Sequence, residues 1–93
     1  MKHKLKIDTA VFELLTSGKK TFELRKNDRD YKEGDILILR ETRYNSAEMA
    51  LGMPVEYTGR EDIRLVSHVL IVPVYGLSEG WAILSCQIIK SEE

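Results

Sequence analysis

The chain has 93 residues, of which 43% are hydrophobic and 31% charged, and a net charge of −1. That length carries one core rather than two, and the composition excludes the charge excess and apolar poverty that keep chains disordered. The near-neutral balance excludes a protein that coats duplex nucleic acid through a broad basic surface, and the lone Cys86 excludes an internal disulfide and a four-cysteine zinc site.

Residues 1–93 therefore read as a single domain. The opening MKHKLKID has no long apolar run behind its basic residues, and no later stretch approaches the roughly 20 apolar residues of a membrane span. With one cysteine, this points to a cytoplasmic protein with no membrane association. Residues 1–32 hold nine Lys or Arg against five Asp or Glu, and residues 33–93 hold five against ten. The split is compatible with one basic face on an acidic body.

Lys4, Leu5, Lys6 and Ile7 alternate polar with apolar, the period of a half-buried strand. Asp8 and Thr9 then offer N-cap oxygens, and Val11, Leu14 and Leu15 recur at helical spacing up to Gly18, a natural helix terminator. From Thr21 the period returns to two: Phe22 and Leu24 take one face, and Thr21, Glu23 and Arg25 the other. Asn27 to Asp30 form a turn, with Asp28 and Asp30 bonding nearby backbone. Glu33-Gly34-Asp35 punctuates again before Ile36 to Leu39, a strand buried on both faces and so central.

Residues 42–59 carry weak signals and read as a long loop around a helical turn at Ser46 to Leu51. From Arg60 to Val72 the parity of apolar residues changes, which requires a bulge or a change of buried face near Leu65. Pro73 ends that strand, residues 75–80 make a loop, and Trp81 to Ile89 form the last strand. About five strands and one short N-terminal helix give an α+β domain, a small and mostly antiparallel barrel.

The chemistry concentrates in GKKTFELR, residues 18–25. Glu23 and Arg25 stand two apart on one strand and project together, so a carboxylate can accept from an N–H or O–H beside a guanidinium that forks onto phosphate or carbonyl. Lys20 has the opposite parity and joins them only if the chain turns between Gly18 and Thr21. The plain alternative is a solvated strand face with an exposed ion pair, worth about 0–1 kcal/mol. Arg29 lies in the adjoining turn, while Lys19 and Lys26 read as solvent-facing. Tyr75, in a loop before Gly76, is a candidate stacking face for a base. Trp81 fits core or edge packing better, and Tyr31 and Tyr44 are undetermined. Thr21 shares the face of Glu23 and is a candidate nucleophile. His3, His68 and Cys86 make no convincing zinc site, and His68 in an apolar strand reads as structural. No metal or cofactor is expected.

Gly18, Lys20, Glu23 and Arg25 fit the G-x-K-x-x-E-x-R signature of the ASCH superfamily, small domains with a PUA-like β-barrel fold. The run SGKKTFELRKNDRDYKEGDILILRE, with HKLKI before it and YTGRE, YGL and GWAILS after it, resembles a small bacterial and phage family of unknown function placed in that superfamily. The resemblance implies a cleft floored by this motif and recognition of RNA or a nucleotide-like ligand. Ligand contacts are expected from Lys20, Thr21, Glu23, Arg25, Arg29 and Tyr75. One ASCH branch hydrolyses the acetyl amide of N4-acetylcytidine nucleosides, and Lys20 matches a catalytic position there. Where that branch has a nucleophilic Thr, this chain has Glu23, and a carboxylate does not simply replace an activated hydroxyl. The alternative is thus a small amidohydrolase using Lys20 and Glu23 as a proton-transfer pair. A third reading is a protein partner docking on the loop at residues 42–57.

Overall fold

The computed structural model describes residues 1–71, 76 and 78–89. Five strands and two short helices follow in the order β1 (Lys2–Asp8), α1 (Thr9–Thr16), β2 (Phe22–Lys26), β3 (Ile36–Thr42), α2 (Ser46–Ala50), β4 (Tyr57–Ile71) and β5 (Trp81–Ile88). They form an α+β domain dominated by one sheet. No helix among the described residues is long and apolar enough to cross a membrane.

The strand order is β1-β3-β4-β5-β2. The β1–β3 pair is parallel, because α1 and β2 lie between them and carry the chain back to the starting end, and the other three pairs are antiparallel. The sheet is therefore mixed, and it curls into a half-barrel whose two free edges are β1 and β2. Its concave side holds the core, with Leu5, Leu15, Leu37, Leu39 and Leu84 each at most 3% exposed. Burying each such side chain contributes roughly 1.5–3 kcal/mol.

In β1 the alternation falls as expected: His3, Leu5 and Ile7 face the core while Lys2, Lys4 and Lys6 face out. Asp8 caps α1 by accepting from the Val11 N–H at 2.9 Å. Phe12 and Leu15 then turn inward from the helix. The helix ends where Gly18 takes φ +81°, a conformation open chiefly to glycine. One of its last carbonyls is also met from outside: Arg64, only 2% exposed, donates from Nη2 to Leu15 O at 2.6 Å and from Nε to Asp62 at 2.6 Å.

Three details depart from the sequence expectation. Residues 42–59 are more ordered than a loop. Asn45 and Glu48 form a reciprocal capping box that supports α2, and β4 starts at Tyr57, opposite Thr42, rather than at Arg60. The change of parity in β4 falls at Ser67, skipped in the register between Val66 opposite Cys86 and His68 opposite Ser85. As a result His68 is exposed and paired with Glu33 at 3.2 Å instead of sitting in the core. Finally, β3 is an interior strand with Leu37, Leu39 and Glu41 buried on one face, but Ile36, Ile38 and Arg40 are only partly covered on the other.

Two polar clusters pin the framework. Asp35 accepts from the His3 ring at 2.8 Å, from the Lys32 N–H at 3.0 Å and from the N-terminal amine at 3.1 Å. Glu41 accepts from Thr58 at 2.6 Å and from Arg60 at 2.6 and 2.8 Å. Among the described residues, every buried side-chain polar atom has a partner.

Candidate functional site

The motif strand β2 turns its charged face inward. Phe22 and Leu24 are 46% and 44% exposed on the convex side of the sheet, whereas Glu23 between them is 3% exposed. A carboxylate that has lost its water needs charged donors, and it has two. Lys20 Nζ donates to Glu23 Oε1 at 3.2 Å, and Arg25 Nε donates to Oε2 at 3.1 Å. Lys20 reaches this position because the chain reverses at Gly18, with the Lys20 N–H donating to Leu14 O at 2.9 Å. The turn required for convergence is present, and the three side chains form one cluster.

The cluster lies at the seam between the two edges of the half-barrel. Alternation along β1 points the Lys4 and Lys6 carbonyls away from β3, leaving them without a strand partner. Arginines from the opposite edge take them: Arg25 Nη2 donates to Lys6 O and Arg29 Nη1 to Lys4 O, both at 2.8 Å. The seam is thus bridged by guanidinium groups rather than by a ladder, and it stays open. The opening is a cleft of about 430 Å3, walled by apolar Leu5, Ile7 and Val11 and lined by Lys20, Glu23, Arg25 and Arg29. Its lining includes five Lys or Arg against three Asp or Glu. A second hollow of about 450 Å3 continues along the seam. It is bounded by Thr42, Met49 and Ala50, and it shares Lys6, Asp8, Arg25 and Ser46 with the first.

Of the residues singled out from the sequence, Lys20, Glu23, Arg25 and Arg29 come together in the cleft. Thr21 does not line it: the residue is exposed, and its carbonyl accepts the Cys86 N–H at 2.9 Å in the strand pairing. Tyr75 lies outside the described residues. Lys26 is exposed, as expected, and together with Trp81, expected in the packing, it borders the cleft, with the Lys26 ammonium 5.9 Å from the Trp81 ring. Tyr31 is on the wall too, buried and edge-on to His3 at 4.8 Å between ring centroids. Burial raises its phenol pKa above the ordinary value, although Arg29 and Arg25 oppose the shift.

Asp8, Lys6 and Ser46 escaped sequence reasoning. Asp8 had an adequate local role as an N-cap, and nothing local in Lys6 or Ser46 separates them from solvent residues. Only the curl of the sheet brings β1 and α2 to the motif. The carboxyls with the most displaced pKa values lie elsewhere. Burial pushes Asp35 up, but its bonds from His3, Lys32 and the N-terminus outweigh this and hold it at about 2. The Arg60 hydrogen bonds hold Glu41 at about 2 against the opposing effect of burial. Both are framework pins. Burial, with Glu23 adding to it, pushes the Cys86 thiol up to about 11, so it is not an activated nucleophile. No group of three His, Cys, Asp or Glu residues suited to a metal comes together among the described residues.

Comparison with known proteins gives a short match to an uncharacterized 12.9 kDa protein in the GpA 3′ region of Escherichia phage P2, at 49% identity over 39 residues. The match takes in 42% of this chain and 36% of that relative, so it spans little more than a third of the phage protein's length. The model of the family described as Domain of unknown function (DUF3850) matches residues 2–86, and the chain belongs to that family.

Proposed function

We propose that this is a nucleotide-binding domain of ASCH type, which holds single-stranded RNA or a modified nucleotide in the seam cleft. The observation that carries this reading is the buried Glu23, held between Lys20 and Arg25 and facing an open cavity of about 430 Å3. That volume is in the range of small-molecule sites, roughly 300–1,000 Å3. The excess of Lys and Arg in its lining favours an anionic ligand, and Trp81 and Tyr31 give it aromatic surface. In this reading Arg25, Arg29 and Lys20 meet phosphate or carbonyl oxygens, and Glu23 accepts from a base or sugar donor.

The test is binding of short, mixed-sequence single-stranded RNA by fluorescence anisotropy across a salt series. The expected result is affinity that falls steadily with salt and is lost in Arg25→Glu, with circular dichroism confirming that the variant is folded. Affinity that is flat across salt and unchanged by Arg25→Glu rejects the reading.

The 3.2 Å contact of Lys20 with Glu23 inside the cleft favours one second reading, a small amidohydrolase acting on an acylated nucleoside. Thr21 lies off the cleft, so it is not the nucleophile of such a hydrolase. Turnover of N4-acetylcytidine, followed by chromatography and abolished by Lys20→Ala, is the outcome this reading requires.

A further inference from the structure

The two hollows along the seam are continuous in their lining, and this bears on the size of the ligand. Lys6, Asp8, Arg25 and Ser46 belong to both, so the two hollows adjoin at these four residues. Each hollow alone, at about 430 and 450 Å3, falls within the range of a complete small-molecule site. Their chemistry differs. The first holds the Glu23 cluster with Tyr31 and Trp81. The second is floored by Thr42 and closed by one face of α2, where Ser46, Met49 and Ala50 follow the i, i+3, i+4 spacing.

Arg25 stands at the junction. A guanidinium has five N–H donors. Among the described residues, Arg25 uses Nε on Glu23 and Nη2 on Lys6 O, which leaves Nη1 to donate to a ligand. With its side chain three-quarters buried and fixed at two points, it is a pre-organised donor rather than a mobile surface charge. Lys6 adds a second cation at the junction. The carboxylate there, Asp8, is engaged in capping α1.

We infer that the seam takes two consecutive nucleotides of a single strand, one in each hollow, with the linking phosphodiester on Arg25 at the partition. This deepens the nucleotide-binding reading and rests on it. The first hollow selects its base by polar contacts at Glu23. The second is less specific and offers the polarisable Met49 thioether to a base face.

The test measures affinities, by calorimetry on the intact chain, of nucleoside 5′-monophosphates, of ribodinucleoside monophosphates, and of the latter with an uncharged methylphosphonate link. A charge-assisted bond to a phosphate changes affinity by about tenfold to a hundredfold. The dinucleotides are therefore expected to bind at least about tenfold tighter than the mononucleotides, and the methylphosphonates to lose that advantage. Ala50→Trp, at an exposed position, plugs the second hollow. It is expected to bring dinucleotides down to the mononucleotide level, with circular dichroism confirming that the variant is folded. Equal affinity for mono- and dinucleotides, a full advantage for the uncharged link, or no effect of Ala50→Trp each overturn the two-nucleotide inference while nucleotide binding stands. If neither mono- nor dinucleotide binds, the nucleotide reading fails and the inference falls with it.

Discussion

Glu23 is the residue on which the seam depends, and the coupling between it and Arg25 can be measured. Arg25→Met keeps the aliphatic bulk and removes two bonds, one to the Glu23 carboxylate at 3.1 Å and one to Lys6 O at 2.8 Å. Hydrogen bonds involving a charged group are worth about 1.5–3 kcal/mol each. Arg25 is 25% exposed, which places both near the lower end. Glu23 is 4% exposed at its side chain and is left with Lys20 alone, so desolvation of the freed oxygen adds to the loss. The sum is about 3–4 kcal/mol, large against the roughly 5–15 kcal/mol total of a small domain. In a Glu23→Gln background no buried charge remains to be stranded, and the same Arg25→Met change should cost only about 1.5–2 kcal/mol. Urea unfolding followed by circular dichroism on wild type, both single variants and the double variant gives the interaction energy directly, expected at about 1.5–2 kcal/mol with unchanged m-values. If the two single effects add to within about 0.5 kcal/mol, Glu23 is not held by Arg25, and the account of the seam is wrong.

Gly18→Ala meets no neighbouring atom, so its effect isolates the φ of +81°. We expect a loss of about 1 kcal/mol, seen as a fall of roughly 4–8 °C in Tm, with Gly18→Asn recovering part of it; an unchanged Tm contradicts the role given to this turn in placing Lys20. Acid should destabilise the chain in a defined window. Asp35 and Glu41 have folded-state pKa values depressed to about 2, so their contribution is fully present above their ordinary values of 3.8 and 4.5 and disappears as pH falls from there through 2. Denaturant midpoints should be flat from neutrality to about pH 5 and then drop, and Glu41→Gln should make the drop shallower; a variant that follows the wild-type profile refutes this. Cys86, 7% exposed with its pKa pushed up to about 11, should resist a thiol reagent at pH 8 in the folded protein and react fully in urea. Rapid native labelling counts against that placement.

The strand–helix–strand opening, the turn at Asn27 to Asp30 and the last strand were legible because local rules govern them: period-two alternation, an Asp cap, and glycine where φ is positive; within that turn, however, it is Asn27 that accepts a backbone N–H, from Tyr31 at 3.2 Å, and not Asp28 or Asp30. The capping box at Asn45 and Glu48 was equally local, yet α2 has no buried residue, so hydrophobic periodicity carried no signal for it. The parity change in β4 was visible, but its position at Ser67 depends on the register with β5.

For the site, spacing alone established that Glu23 and Arg25 share a face. Which face of β2 points inward was not a local matter. Alternation separates two sets of side chains without ranking them, and the apolar set of Phe22 and Leu24 was the natural candidate for the core. The curl of the sheet decided otherwise, because it brings the free edges β1 and β2 together and places the concave side of β2 against unpaired carbonyls of β1. There, donors at Arg25 and Arg29 satisfy main-chain groups that no strand reaches, and Glu23 satisfies Arg25 and Lys20 in turn. The sequence by itself determined β1, α1, β2, β5 and the shared face of Glu23 and Arg25, since these follow from neighbours along the chain. Tertiary structure alone decided that the trio converges at an open seam with Glu23 buried, because that depends on contacts between residues nineteen or more positions apart, as from Lys6 to Arg25 and from Lys4 to Arg29.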